Sequence, residues 1–325
     1  MKRRQWLFLL LFVFLNTPSA TAQSDKTLVF TFEPELNYTF GETQYELYWV
    51  TDPGSTGVTG IRSLLEFPVN AFSVGATTRL VQGAESRHPL GLALTLATKL
   101  NDPAGKFKDG DWLLLGSGSQ FKFSYTESKQ KMALFLLNFE ASIGFPSARR
   151  ISFDMFGGFR YQRITQDIFG YSGWVWTTEP VLVEGTEHAL YYKVTYSSPY
   201  LGFRFKSGSP NHTLFHLQAA ISPTYMKDFD DHLLRFKSST SAGWGEGVLA
   251  QTGLRFSLKK EGRGAPYFEI AGRFTYLHGS PTETQTWYGD DPATVEDDTG
   301  LSISNIPHSI TLTQLSLGAR LGFAL

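Results

Sequence analysis

From Leu28 onward the apolar residues of this chain recur at every second position. Leu90, Leu92, Leu94 and Leu96 alternate with Gly91, Ala93, Thr95 and Ala97, and Leu137, Phe139, Ala141, Ile143 and Phe145 alternate with Asn138, Glu140, Ser142 and Gly144. The stretches from Val248 to Leu258 and from Leu315 to Leu325 repeat the scheme. Period two means strands with one apolar and one polar face, and helical periodicity does not appear. Strands are expected at about 33–51, 57–80, 90–100, 119–143, 150–168, 190–206, 212–228, 242–259, 265–279 and 308–325, which makes ten.

A soluble sandwich and an outer-membrane barrel share this alternation; in the barrel the polar face lines the lumen. Long strands, 15% aromatic residues, the absence of cysteine and a last strand that runs to the C-terminus favour the barrel. The joints agree. Those at 81–89, 144–149, 206–211 and 259–264 are short and rich in Gly, Pro, Lys and Arg, whereas those near 52–57, 101–118, 169–189, 229–241 and 280–307 are mostly longer. Short turns on one rim and long loops on the other are the outer-membrane rule, with both termini on the periplasmic side. The predicted fold is therefore all-β: a ten-stranded antiparallel transmembrane β-barrel of the outer membrane, with long extracellular loops and short periplasmic turns.

Inward Glu140, Asp154, Arg204, Arg255, Glu269, Arg273 and Arg320 are expected to pair across a plugged lumen, because unpaired charges are costly to bury. Trp49, Trp112, Trp174, Trp176, Trp244 and Trp287 fall at the outer rim or in the loops, most of them as an interfacial girdle.

The N-terminus supplies the address. Lys2, Arg3 and Arg4 precede an apolar run from Trp6 to Leu15, and Ala20, Thr21, Ala22 form a small-x-small step. Residues 1–22 read as a secretory signal peptide and 23–325 as a single barrel domain. Loss of three positive charges with the signal moves the formal charge from −1 to −4, a balance that argues against a nucleic-acid partner.

Two stretches could carry chemistry. Asp109, Gly110, Asp111, Trp112 fall in the second outer loop, and Asp228, Phe229, Asp230, Asp231, His232 fall where the seventh strand enters the fourth; Glu46 lies high on the first strand, at the same rim. On an extended segment Asp230 and His232 share a face, so the aspartate can orient the imidazole. A carboxylate pair opposite could hold a water for that base to activate. Taken singly, each motif is a set of solvated loop charges. A zinc or calcium site is the weaker reading, with one histidine and no fixed ligand spacing. None of the other histidines has a paired acidic neighbour like that of His232.

Together, and in this order, these residues resemble the omptin family of outer-membrane proteases. The family's Asp-x-Asp-Trp is matched by Asp109, Gly110, Asp111, Trp112, its Asp-x-His by Asp230, Asp231, His232, and the aspartate two residues earlier by Asp228. Glu46 matches the glutamate near the top of the first strand, and Ser128, within Thr126, Glu127, Ser128, Lys129, the serine downstream of the first pair. The resemblance implies a cell-surface endopeptidase that needs no cofactor and cuts peptides or proteins at basic residues. His232 would activate water, Asp230 would orient it, Asp109 and Asp111 would complete the water site, and Glu46 with Asp228 would receive an arginine or lysine. It also implies lipopolysaccharide on the outer wall, where Arg163 matches a basic ligand and Thr195 replaces another. A non-catalytic barrel acting as adhesin or structural surface protein is the alternative, and a small porin a third.

Overall fold

Within a bilayer every backbone N–H and C=O has to be paired inside the protein, so a sheet that crosses it must close on itself. In this computed structural model the described residues are 28–50, 58–82, 88–146, 151–209, 212–258, 266–292 and 294–324. The expected signal peptide and the first outer joint lie outside them.

Among the described residues thirteen strands form one sheet. They are β1 (Leu28–Val50), β2 (Val58–Pro68), β3 (Ala71–Gln82), β4 (Leu90–Lys99), β5 (Phe107–Leu115), β6 (Gln120–Pro146), β7 (Ile151–Trp176), β8 (Pro180–Gly208), β9 (Thr213–His232), β10 (Lys237–Ser257), β11 (Tyr267–Gly279), β12 (Thr282–Trp287) and β13 (Ser302–Ala324). Three staves are broken: β2 continues into β3, β4 into β5, and β11 into β12. The result is ten antiparallel staves, and β13 closes the ring on β1 from Thr31↔Ala324 to Leu47↔His308.

The staves are longer than the sequence pattern predicts. A tilted strand crosses a bilayer in about 9–11 residues, yet β7 has 26 and β8 has 29. Segments expected to be loops are paired extensions instead. The supposed second loop contains β5, 169–189 is the tip of the β7–β8 hairpin, and 229–241 is a tight turn in which His232 pairs with Lys237. The pattern missed them because above the membrane neither face need be apolar.

Outward positions show where the bilayer ends. On β1 they read Phe30, Phe32, Leu36, Phe40, then Glu42, Gln44, Glu46. On the next stave Phe72 and Val74 of β3 give way to Glu66 and Arg62 of β2. The change falls at a break: Gly41 has φ 138°, its N–H donates to Asn70 Oδ1 at 2.9 Å, and Pro68 ends β2. Trp244 lies on the belt, edge-on to Tyr225. Trp49 instead packs against the core and Trp287 is buried, so the girdle is not the common role of the tryptophans.

The lumen has two halves. Above the break an apolar plug built from Tyr45, Leu65, Phe67, Ile164, Ile168, Tyr192, Met226 and Leu312 fills it. Below, the expected charges pair: Arg320 reaches Glu33, Glu35 and Glu269, Arg204 reaches Glu140 and Asp154, Arg255 reaches Glu269, and Arg273 reaches Glu35. Arg79 reaches Glu33, and Lys206 reaches Asp154.

A Cβ on Gly41 would lie 2.0 Å from the Thr313 carbonyl oxygen, in a backbone region that L residues avoid. Gly41→Ala should therefore destabilise the barrel by about 1–3 kcal/mol. The midpoint of heat-modifiable electrophoretic mobility reads this; an unchanged midpoint would refute the account of the break.

Candidate active site

The site lies on the extension above the apolar belt. Alternation along β9 turns Asp228, Asp230 and His232 to the lumen and Phe229 and Asp231 away from it. His232 Nε2 is 3.3 Å from Asp230 Oδ2. Beyond His232 the chain makes a 3-10 turn, Leu233–Arg235, and passes through Phe236 in the left-handed region (φ 48°). It returns as β10, with Lys237 opposite His232 and Ser239 opposite Asp230.

Asp109 comes from β5, the strand that the sequence pattern missed. It pairs with Leu65 on one side and Thr126 on the other, and with Phe107 it faces the lumen. Asp109, Ser128, Tyr171, His232 and Arg235 line one cleft of about 210 Å³. Asp111 follows on the same face of β5 and accepts a hydrogen bond of 2.6 Å from Ser124 Oγ. Trp112 points the other way, between the Arg62 and Lys122 side chains. The two motifs of the sequence therefore meet, although neither lies in a loop.

Glu46 does not join them. It sits between inward Tyr45 and Leu47, so strand parity places it on the outer wall, where it pairs with Arg62 and accepts a hydrogen bond from Tyr48. The acidic pair expected from Glu46 and Asp228 is thus corrected. The lumen position belongs to Tyr45, whose hydroxyl donates to Glu283 of β12. Glu283 is the second carboxylate near Asp228, and Ser241 Oγ donates to Asp228 itself. Arg163 faces outward on β7 between Phe135 and Thr195.

The histidines need correcting too. His308 Nε2 lies 3.5 Å from Asp228 Oδ2, His216 Nε2 3.3 Å from Glu269 Oε1, and His188 Nε2 3.3 Å from Asp167 Oδ1. Their partners are remote in sequence. Parity held the signal for one of them: Ser316, Gly318 and Arg320 face the lumen, and the same parity carried up β13 reaches His308.

Burial and mutual repulsion separate the acids. Burial and then Asp111 push the Asp109 carboxyl well above the usual range. Burial, with Asp230 and Glu283 adding to it, pushes Asp228 up to about 8 against the Ser241 hydrogen bond. Glu283 is raised by burial and by Asp230. Burial acts on Asp230 in the same direction, but His232, Ser239 and Lys237 outweigh it and hold this carboxyl below its ordinary value. Burial and Arg235 lower the Lys237 ammonium, and burial brings His308 down to about 4.

A clasp covers the turn. Arg235 makes two contacts to buried Asp291, at 2.9 and 2.8 Å, and Tyr288 donates to Asp231 at 2.8 Å. Trp287 lies against Lys237. Sequence reasoning missed Glu283, Asp291, Arg235 and Lys237 because their roles depend on pairing between β10 and the segment from β12 to β13.

Fold and membrane belt define the class: an outer-membrane β-barrel of omptin-like architecture. The structure is similar to that of the outer membrane protease OmpT from Escherichia coli, with TM-score 0.72 and 12% identity over 91% of this chain and 97% of that one. At that identity the likeness shows the fold. The P. putida toluene transporter TodX matches with TM-score 0.27 and 9% identity over 93% of this chain and 91% of that one, too slight a likeness to argue from. No protein-family model and no curated protein matches the chain.

The raised Asp228 carboxyl gives a pH prediction. An acid whose folded pKa exceeds its unfolded value of about 3.9 stabilises the fold in its neutral form, so stability falls as pH rises from about 4 to about 8. Asp228→Asn should remove a slope of at most about 1.4 kcal/mol per pH unit. Thermal midpoints of both proteins between pH 5 and 9 test this; parallel curves would refute it.

Proposed function

We propose that this barrel is an outer-membrane endopeptidase that hydrolyses peptide bonds at basic residues, with its site on the extracellular side. The observation that carries the reading is His232 at 3.3 Å from buried Asp230, sharing one cleft with Asp109. No serine or cysteine nucleophile is required. His232 takes a proton from a water whose oxygen attacks the scissile carbonyl carbon. The Asp109 carboxylic acid, beside Asp111, donates a hydrogen bond to that water or to the developing oxyanion. The imidazolium, stabilised by Asp230, then returns its proton to the leaving amide nitrogen as the C–N bond breaks.

Buried Asp228 and Glu283 form an acidic floor, and a cationic substrate side chain entering it would favour their ionised forms and pair with them. On the outer wall Arg163 shares its face with Lys131, Lys193 and Lys227, an arrangement suited to the phosphates of lipopolysaccharide.

The test is cleavage of Arg-Arg and Lys-Arg peptides by refolded mature protein, with and without lipopolysaccharide. His232→Ala should abolish cleavage, and Asp230→Asn should lower kcat by about 10²-fold or more. Glu283→Gln should weaken the preference for basic residues, whereas outward Glu46→Gln should leave it unchanged. If well-folded protein cuts no peptide, the site is not catalytic and a surface-binding role takes its place.

A further inference from the structure

Below the apolar plug lies a cavity of about 680 Å³ that the endopeptidase reading does not use. It reaches from the short-turn mouth, where Pro89, Gly144, Ile151 and Gly208 line it, up to Gln162 and Gln314 beneath the plug. Cations outnumber carboxylates here. Six of them, Arg79, Arg204, Lys206, Arg255, Arg273 and Arg320, share the five carboxylates Glu33, Glu35, Glu140, Asp154 and Glu269. Two further cations line it: Lys99, which pairs with Asp102, and Arg160. Among the described residues no carboxylate lies within ion-pair distance of Arg160.

Its contacts are neutral: Nη1 donates to Thr275 Oγ1 at 3.1 Å and Nη2 to Gln162 Oε1 at 2.6 Å. The buried Nε has no partner. A second guanidinium, Arg273, stands two residues before Thr275 on the same lumen face of β11. A half-buried guanidinium among other cations, with its buried Nε unsatisfied, is costly unless something negative shares the space. The Nε edge of a guanidinium presents two parallel N–H groups, which match the oxygens of a carboxylate or phosphate. The cavity is within the size range of small-molecule sites.

We infer that the lower lumen is a binding site for a small oxyanion of the carboxylate or phosphate class, held on the Nε edge of Arg160 and admitted through the short-turn mouth. The site is separate from the peptide cleft, because the apolar plug lies between them.

Equilibrium dialysis of the mature protein in an uncharged detergent, with labelled inorganic phosphate and labelled acetate at constant ionic strength, tests this. At least one probe should bind saturably at one site per chain with a Kd below about 10 mM. Arg160→Gln should weaken binding at least about tenfold. Arg160→Lys, which keeps the charge without the fork, should weaken it less and serves if the glutamine variant does not fold. Repeating the measurement in the His232→Ala background should give the same affinity, so the outcome does not depend on the protease. Absence of saturable binding of both probes to folded protein overturns the inference. So does equal affinity in the folded Arg160 variants, which would leave an adventitious ion only.

Discussion

Side chains alternate across a strand, and in a closed barrel that alternation leaves each residue little choice: its parity within the stave sends it to the outer wall or to the lumen. This constraint governs the whole molecule. Phe30, Phe32, Leu36 and Phe40 meet lipid because they share a parity on β1, and Tyr45 and Leu47 enter the plug because they hold the other. Asp228, Asp230 and His232 converge because they are spaced by two on β9. Glu46 fails to join them for the same reason. One residue separates it from Tyr45, and one residue is the whole difference between lumen and outer wall.

Closing the ring then determines where charge can sit. Arg320 is the register partner of Glu35 across the β1–β13 seam, and its guanidinium lies 3.0 Å from Glu33 and 2.8 Å from Glu35. The seam is therefore held by ladder hydrogen bonds and by ion pairs between residues at opposite ends of the chain. Breaking one partner out of such a buried cluster costs about 3–5 kcal/mol. Above the cluster the plug fills the lumen with apolar side chains, and this gives the floor of the upper cleft its low polarity. The carboxylates beneath His232 are consequently governed by burial more than by solvent.

Much of this was legible in the sequence. The ten staves, the short-turn rim and the inward charges of the lower lumen followed from period two, because within the bilayer one face must be apolar and the other need not be. Above the bilayer that signal ends. Phe107–Leu115 is a strand whose outward positions include Lys108 and Gly110, so it read as loop, and the hairpin tips at 169–189 read likewise. The Asp-x-Asp and Asp-x-His motifs were legible as candidates, and their meeting required β5 to be a strand. The pairing of His308 with Asp228 and of Tyr45 with Glu283 joins residues far apart in sequence, which no local spacing shows. Glu46 was the reverse case: the family pattern offered it, while the parity of Leu28, Phe30 and Phe32 already pointed it outward.

What makes the buried acids a site is that their surroundings differ. Asp228, Asp230 and Glu283 share burial, and three carboxylates this close cannot all ionise. Asp230 has His232 beside it, Lys237 within electrostatic reach and Ser239 opposite, so the negative charge settles there. Asp228 and Glu283 face neutral partners, the Ser241 and Tyr45 hydroxyls, and burial pushes both carboxyls up. Across the cleft Asp109, with an unpartnered buried oxygen and Asp111 as neighbour, is pushed up as well. Environments that push pKa values apart assign acid and base roles to chemically identical groups. Here they set a carboxylate held below its ordinary range under the imidazole and one pushed above it across the cleft.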